Sequence, residues 1–300
     1  GVNAGNSIQS GGSYNVVVGD QAGTAITTGD NNIAVGFAAL DAEDTGSNNV
    51  AIGASALSTL NYNGSGYNTA VGSNAGALVT TGLRNTLIGG LAGDATTTAS
   101  DNTALGYDAL GLNTTGANNV AVGSLALNAN TTASDNVAIG TNSLGVNTTG
   151  NFNIAVGGQS LDANTVGDRS IAIGYSSLSS QNPSSNADMY NVAVGHSAGL
   201  AVTTGTQNTL IGGLAGDALT SSTGNVAVGY LSLSAATTAD LNTAIGHRAL
   251  TTNILSDRNV ALGYAALSTH NLASNGDGYN VAVGYNAGGA VTTGTGNTLI

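Results

Sequence analysis

The sequence contains no cysteine, no tryptophan and no lysine, and it has a single proline among 300 residues. Without cysteine the chain forms neither disulfides nor thiolate metal sites, although this does not fix its redox compartment. Its four cationic side chains are all arginines, against sixteen acidic residues, and the formal net charge is -12. Nucleic-acid binding requires clustered cationic side chains that displace phosphate counterions, so the composition argues against nucleic acids and anionic membrane surfaces as partners.

Long apolar runs and aromatic side chains are also scarce. No run of about 18 apolar residues is present, so we expect no membrane span and no membrane contact by this segment. Aromatic residues make up 4% of the chain and hydrophobic residues 41%, which predicts a thin core of small side chains. Only 7% of residues are charged, unlike charged disordered segments, and the glycines lack the period of three that collagen requires. A slender folded structure suits this composition best.

What the sequence does contain is a repeat, Asn-x-Ala-(Val/Ile/Leu)-Gly, along its whole length. Thirteen of its sixteen intervals are 17 residues, one is 19 and two are 21. The first residue of the motif is Asn15, Asn32, Asn49, Asn68, Asn85, Asn102, Asn119, Asn136, Asn153, Ser170, Asn191, Asn208, Asn225, Asn242, Asn259, Asn280 and Asn297. Such a unit is too short for a helical pair, and it predicts one coil of a β-solenoid. We therefore expect an all-β parallel β-solenoid of 17-residue coils, a single continuous domain over residues 1–300 that is a fragment of a longer fibre protein.

The repeat also predicts which side chains stack. Coils lie about 4.8 Å apart, a spacing at which identical amide side chains hydrogen-bond along the stack, so we expect the sixteen asparagines to form a structural ladder. In segments such as Val120-Ala121-Val122 the branched residues share one strand face and the alanine lies on the other. We expect the small alanine column to form a flat face against which another protomer packs.

A second fixed position lies four residues after the motif glycine. It is leucine in ten coils, at Leu40, Leu57, Leu110, Leu127, Leu144, Leu161, Leu178, Leu233, Leu250 and Leu267. This column predicts a second short strand across a corner at the glycine. Glycine replaces the leucine at Gly23, Gly76, Gly93, Gly199, Gly216 and Gly288. We expect a neighbouring subunit or an inserted loop to fill the space that each glycine leaves.

The three long intervals place inserts near residues 61–66, 180–189 and 269–278, each followed by a Tyr-Asn pair. The candidate surface contacts are Tyr14, Tyr67, Tyr190 and Tyr279, which precede the motif asparagine. A second aromatic column, at Tyr107, Tyr175, Tyr230, Tyr264 and Tyr285, follows the motif glycine. These columns either stack on sugar rings or cover an edge or a subunit seam. The inserts are either binding loops or decoration that relieves packing mismatch.

Catalytic, cofactor and metal sites are not predicted. His196 and His247 share a column but lie three coils apart, about 14 Å, which is too far for both to bind one metal ion. No pair of carboxylates recurs at a fixed separation beside a cleft, as glycoside cleavage would require. Arg84 and Asp101 hold equivalent positions on successive coils and predict an exposed ion pair.

The repeat from Asn119 to Leu127 resembles the head repeats of YadA-like trimeric autotransporter adhesins. The Asn-Thr-Thr-Gly-x-Asn-Asn-x-Ala-Val-Gly spacing at residues 113–123 is similar to repeats in phage tail-fibre proteins and large bacterial surface proteins. This resemblance implies a left-handed β-roll assembled as a homotrimer at a cell surface or on a virion. It also implies an unidentified host-surface or glycan receptor.

Three functions remain open from the sequence. The first is a structural fibre segment of a phage tail fibre or a bacterial surface adhesin, which acts as a stiff spacer and attachment surface and is not an enzyme. The second is ice- or crystal-surface binding, suggested by Thr-Thr pairs that begin at Thr80, Thr97, Thr114, Thr131 and Thr148. The third is a polysaccharide-cleaving β-helix enzyme.

Overall fold

A computed structural model describes all residues from Gly1 to Ile300, and it is an all-β parallel β-solenoid, as the repeat predicts. The chain divides into two compact units, Gly1–Thr149 and Gly150–Ile300, which are described separately. None of its elements is a helix of the length and apolarity needed to cross a membrane.

The first unit contains eight three-residue strands, one per coil. They are β1 (Val16–Val18), β2 (Ile33–Val35), β3 (Val50–Ile52), β4 (Thr69–Val71), β5 (Thr86–Ile88), β6 (Thr103–Leu105), β7 (Val120–Val122) and β8 (Val137–Ile139). Each strand pairs in parallel with the next, so that equivalent residues of the repeat face each other. The 17-residue period of the sequence is therefore the register of the sheet.

The second unit repeats this arrangement and adds four two-residue strands. Its strands are β9 (Ile154–Val156), β10 (Gly167–Asp168), β11 (Ile171–Ile173), β12 (Ala187–Asp188), β13 (Val192–Val194), β14 (Thr209–Ile211), β15 (Val226–Val228), β16 (Thr243–Ile245), β17 (Ser256–Asp257), β18 (Val260–Leu262), β19 (Gly276–Asp277), β20 (Val281–Val283) and β21 (Thr298–Leu299). The nine strands of the repeat motif form one parallel sheet. Two small parallel pairs, β10–β12 and β17–β19, lie beside it.

The alanine column lines the interior of the solenoid, so the prediction that it forms a flat external face is wrong. Ala34, Ala121 and Ala193 are examples of central strand residues with no exposed surface. The branched residues on either side point outward and stay partly exposed, as at Ile52 (38%) and Leu105 (46%). A 17-residue coil encloses a narrow interior. Because the leucine of the turn fills much of it, only a small side chain such as the alanine methyl group fits on the strand opposite.

The leucine column forms a turn, which corrects the predicted second strand. Leu40 and Leu127 have φ of 51° and 49°, in the left-handed region that an extended strand cannot contain. The backbone of this turn is still bonded between coils: Leu127 N donates to Ser143 O at 3.0 Å. The leucine side chains are buried and provide the bulk of the apolar core.

Where glycine replaces the leucine, the core fills the space itself, so the predicted filling by another subunit or by an insert is wrong. A Cβ on Gly76 would lie 2.7 Å from Leu87 Cδ1 and 3.0 Å from Leu57 Cδ2, and a Cβ on Gly93 would lie 2.8 Å from Leu87 Cδ2. Leu87 takes the central strand position that is alanine in neighbouring coils. The second unit repeats this exchange with Leu210 against Gly199. A large strand residue therefore compensates for each small turn residue.

Candidate functional surfaces

The asparagine column forms hydrogen bonds in both directions along the coils of each unit. Asn119 Nδ2 donates to Asn102 Oδ1 at 3.2 Å and to Ala133 O at 2.9 Å, and Asn119 N donates to Asn102 Oδ1 at 2.9 Å. Asn136 N and Nδ2 donate in turn to Asn119 Oδ1 at 3.0 and 3.3 Å. Equivalent amide links join Asn208 to Asn191 and Asn280 to Asn259. Most of these side chains are fully buried, so the column holds the coils together from inside.

Ser170 is the exception, and its coil carries a compensating side chain. Serine is too short to continue the amide ladder, and Gln181 reaches into the gap. Gln181 Nε2 lies 3.0 Å from Ser170 Oγ, and Asn191 Nδ2 donates to Gln181 Oε1 at 2.9 Å. Gln181 is fully buried and belongs to the coil. The glutamine therefore bridges the polar chain across the missing asparagine.

Gln181 belongs to a second interior column, seven residues after the motif glycine, that sequence reasoning missed. In the first unit it contains Asn113, Asn130 and Asn147, and Asn130 Nδ2 donates to Asn113 Oδ1 at 2.8 Å. In other coils the same position is apolar, as at Leu60. The fixed distance from the glycine was the signal that could have revealed it, but the alternation of polar and apolar residues obscured it.

Two charged or titratable residues, Glu43 and His270, occupy this interior column and are fully buried. Glu43 Oε1 accepts a hydrogen bond from Gly46 N at 2.8 Å, whereas Oε2 is buried without a partner. Burial raises the pKa of Glu43, and nearby backbone N–H groups offset this only in part. His270 Nε2 lies 2.9 Å from Ser256 Oγ, and burial lowers the pKa of this histidine.

The buried Glu43 predicts a specific pH dependence of stability. Because its folded pKa lies above the unfolded value, ionisation costs stability at neutral pH, and this cost disappears as the pH falls through the folded pKa. As the pH falls from 7.5 to 5, we expect the free energy of unfolding of the wild type to rise relative to that of Glu43→Gln, by at most about 1.4 kcal/mol per pH unit, and the difference in melting temperature to rise with it. The exposed Asp20→Asn substitution is the control. A wild-type minus Glu43→Gln difference that is independent of pH would contradict the assignment.

The outward face of each sheet consists of branched and mostly apolar side chains. The first outward column of the first unit is valine, isoleucine or threonine, and the second is valine, isoleucine or leucine. The second unit has the same composition, as at Val226 and Val228 of β15. Neither column contains a charged residue in either unit. The second outward column, which is apolar in every coil, is therefore a contiguous apolar strip on each unit, and the first column beside it mixes apolar residues with threonine.

The four candidate contact tyrosines are exposed, with accessible fractions of 85% for Tyr14, 60% for Tyr67, 50% for Tyr190 and 57% for Tyr279. They lie on separate coils, and none stacks on another aromatic ring. Their ring faces are therefore not covered by one another, and together they form no continuous aromatic strip.

The aromatic column after the motif glycine is different, because in the second unit its rings stack on one another. Tyr230, His247, Tyr264 and Tyr285 form a series with centroid separations of 5.6, 5.2 and 5.2 Å and interplanar angles of 20°, 10° and 8°. Tyr175 and His196 form a separate pair at 5.6 Å. Inside such a series each ring face is covered by the next ring. The inner rings of the series, His247 and Tyr264, therefore present edges, whereas sugar stacking requires a free face.

The two longer inserts pair with the preceding coil. β12 pairs in parallel with β10, and β19 pairs with β17. Two residues predicted to begin the third insert, Thr269 and His270, occupy ordinary coil positions. The same holds for Ser180 and Gln181 at the predicted start of the second insert. Asn182 N and Asn271 N also make the backbone bonds of regular coil positions, to Thr203 O and Thr292 O, so the extra residues begin at least three positions later than predicted.

Three ion pairs connect successive coils. Arg84 and Asp101 form the predicted exposed pair, with bonds of 2.6 Å from Nε to Oδ1 and 2.7 Å from Nη2 to Oδ2. Sequence reasoning missed the other two, Arg169 with Asp188 and Arg258 with Asp277. In both, an arginine of a coil binds an aspartate of the insert that follows it.

The threonine pairs lie in the turns, outside the sheet. Thr97 Oγ1 donates to Thr114 O at 3.0 Å, and Thr114 Oγ1 donates to Thr131 O at 2.9 Å. In these pairs the hydroxyl of the first threonine therefore donates its hydrogen bond to a backbone carbonyl of the next coil. The second threonines, such as Thr98 and Thr115, are exposed in a single row.

Acidic side chains are spread over different coils. Asp41, Asp94, Asp162 and Asp217 share one position of the repeat, and burial raises the pKa of each. Within each unit they lie three coils apart and do not pair with one another, although the charge of Asp108 also contributes to the raised pKa of Asp94. The structure contains no group of three or more histidine, aspartate or glutamate side chains positioned to hold a metal ion.

No protein-family model matches this chain, and no curated protein matches it at a significant level. The argument for function therefore rests on the surfaces described above.

Proposed function

We propose that this chain is a structural segment of an extracellular fibre, either a phage tail fibre or a bacterial surface adhesin, in which it acts as a stiff spacer and an attachment surface. The outward apolar face of the sheets is the observation that supports this proposal most strongly. A contiguous apolar patch of this kind on a soluble protein marks a surface that another molecule covers. The repeated internal hydrogen bonds of each unit suit a mechanical role.

The proposed occupant of the outward face is another copy of the same chain. The face has no charged residue, and its side chains recur at a spacing that an identical face matches in register. Three copies, as the similarity to trimeric adhesin heads implies, would enclose the three faces around a common axis. The partner of the assembled fibre would be a host-surface or glycan receptor, and its location a cell surface or a virion.

Native mass measurement tests the self-association. We expect a particle of three chains of 28.9 kDa each. Glutamate at one outward position in each unit, Val122→Glu with Val228→Glu, is expected to shift this particle to monomers, because burying unpaired charges at the interface is strongly unfavourable. The control is Thr115→Glu, in a turn away from the face. A wild-type chain that is a stable monomer at micromolar concentration would refute the assembly.

The outward face favours this role over the two alternatives. In the ice-binding hypothesis a flat array of threonines meets the crystal, but the first hydroxyl of each pair donates to a backbone carbonyl and the exposed threonines form only one row. We expect no thermal hysteresis from the purified chain. A polysaccharide-cleaving enzyme would need paired carboxylates, and we propose that the chain is not an enzyme.

A further inference from the structure

The two long inserts of the second unit build the same side-chain cluster twice. The first cluster consists of Arg169, Asp188 and Tyr190: Arg169 Nη1 binds Asp188 Oδ1, and the Tyr190 hydroxyl donates to Asp188 Oδ2 at 3.1 Å. We call such a group a triad.

The second triad consists of Arg258, Asp277 and Tyr279. Arg258 Nη1 binds Asp277 Oδ1, and hydrogen bonds from Tyr279 and Arg258 lower the pKa of the Asp277 carboxyl. The bond to Asp277 also raises the pKa of the Tyr279 hydroxyl. Both triads follow the same sequence pattern, with Asp-Arg in the coil and Asn-x-Asp-x-Tyr-Asn at the end of the insert.

We propose that each triad is a binding site for a neutral sugar ring of a glycan. This inference rests on the proposed attachment function and names its ligand class. The tyrosine supplies an aromatic face, the aspartate accepts hydrogen bonds from sugar hydroxyls, and the arginine donates to sugar oxygens. The arginine and aspartate charges of each triad cancel, and the adjacent Asp168 or Asp257 adds a negative charge, so the site suits a neutral ligand better than an acidic one.

The groups of the triads are available for this contact. Tyr190 and Tyr279 are at least half exposed and stack on no other ring, so part of each ring is open to contact with a pyranose. In the first triad the arginine and aspartate side chains are 40% and 42% exposed, and in the second 46% and 34%. The guanidinium group has five N–H donors in a planar fork, of which the ion pair uses only part.

The backbone conformation at residues 190 and 279 does not explain why tyrosine occurs there. Tyr190 and Tyr279 have φ of 51° and 49°, in the left-handed region. Asparagine and glycine adopt this region at lower cost, and they occupy the same position in other coils, as at Asn31 and Gly224. Large side chains also occupy this position in coils without a triad, as at Gln207 and Leu241, so the backbone neither requires nor excludes tyrosine there.

Tyr67, the tyrosine after the first insert, serves as the internal control. Ser65 stands where the longer inserts have aspartate, and it pairs with Ser47. Tyr67 is as exposed as the other two tyrosines, but it has no Arg–Asp partner in the same arrangement. The Arg84–Asp101 pair lies in the same column on the next two coils, and its bonds run between Arg84 and Asp101, so Tyr67 supplies a ring without an aspartate bound to its hydroxyl.

The spacing of the triads adds a requirement on the ligand. Tyr190 and Tyr279 are five coils apart within the second unit, which corresponds to about 24 Å at the usual strand spacing. A polysaccharide long enough to reach both sites gains avidity from the linked contacts, whereas a monosaccharide occupies one site weakly.

Affinity electrophoresis in gels that contain dextran, galactan or mannan tests the proposal. We expect at least one of these neutral polysaccharides to retard the wild-type chain. Tyr190→Ala with Tyr279→Ala is expected to weaken the interaction at least tenfold, and Asp188→Asn with Asp277→Asn at least threefold. Tyr190→Phe with Tyr279→Phe keeps the ring and should lose less than the alanine pair.

Tyr67→Ala is expected to leave the retardation unchanged. The proposal is overturned if none of the three polysaccharides retards the wild type, or if Tyr67→Ala weakens binding as much as the double alanine variant does. Native mass of the same variants separates this outcome from the fibre proposal, because loss of glycan binding with an intact oligomer leaves the fibre role standing.

Discussion

Replacing Gly123 by alanine is expected to destabilise the first unit by about 3 kcal/mol or more, because two separate obstacles meet at this position. The residue has φ of 133°, which an L-residue with a Cβ rarely adopts. A Cβ built there would also lie 2.7 Å from both the carbonyl carbon and the oxygen of Gly140 on the next coil. These are backbone atoms of a bonded coil, so they cannot move aside as a flexible side chain would.

Hydrogen exchange and thermal melting of the full chain measure this effect. We expect the amides of β7 and β8 to lose protection in Gly123→Ala, together with a lower melting temperature. The matched control is Gly145→Ala, where an added Cβ meets only Asn142 backbone atoms at 3.3 Å or more. That variant should change stability by less than about 1 kcal/mol. Equal effects of the two substitutions would show that the corner glycine is not a steric requirement.

The motif glycine shows why the fold was predictable from sequence. Register in a sheet is normally difficult to infer, but here a fixed 17-residue interval stacks every position on its own copy. A position that needs glycine or asparagine in one coil has the same surroundings in the next, and Ser170 is the one departure in the asparagine column. The repeat therefore reports the sheet pairing directly.

The direction of the side chains was harder to infer. Alternation places Val120 and Val122 on one side of the strand and Ala121 on the other, but it does not say which side is inside. Hydrophobicity favours burying the valines, whereas the structure buries the alanine. The width of the interior determines which side is buried. That width depends on the turn at Leu127, where the sequence pattern predicts a strand.

The candidate binding groups were only partly predictable. Tyr190 and Tyr279 were identified by their place before the motif asparagine. Their partners Asp188 and Asp277 lie in inserts outside the 17-residue repeat, where the shared Asn-x-Asp-x-Tyr-Asn ending is the only sequence signal. The pairing of each insert strand with the preceding coil brings arginine and aspartate together, and no 17-residue interval records it.

Replacing Asn119 by alanine is expected to cost about 3 kcal/mol or more, since its side chain serves several buried partners at once. The substitution removes the acceptor of Asn136 N and Asn136 Nδ2 in the closed interior of the coil, and one of the two donors to Ala133 O, which keeps its bond from Asn130 Nδ2. A buried polar group left without a partner costs about 1–3 kcal/mol. Thr115→Ala, at an exposed turn position, is the control, and a loss below about 1 kcal/mol in Asn119→Ala would contradict a structural role for the ladder.

The exception at Ser170 provides a sharper test, because it shows how the ladder tolerates a shorter side chain. Gln181, eleven residues later, bridges from Ser170 Oγ to Asn191 Nδ2. In the first unit the residue eleven positions after Asn119 is Asn130, which also lies in the interior column. Asn119→Ser alone should therefore destabilise the coil, and Asn119→Ser with Asn130→Gln should recover part of the lost melting temperature. If the double variant is no more stable than the single one, the glutamine bridge is not what allows serine at this position.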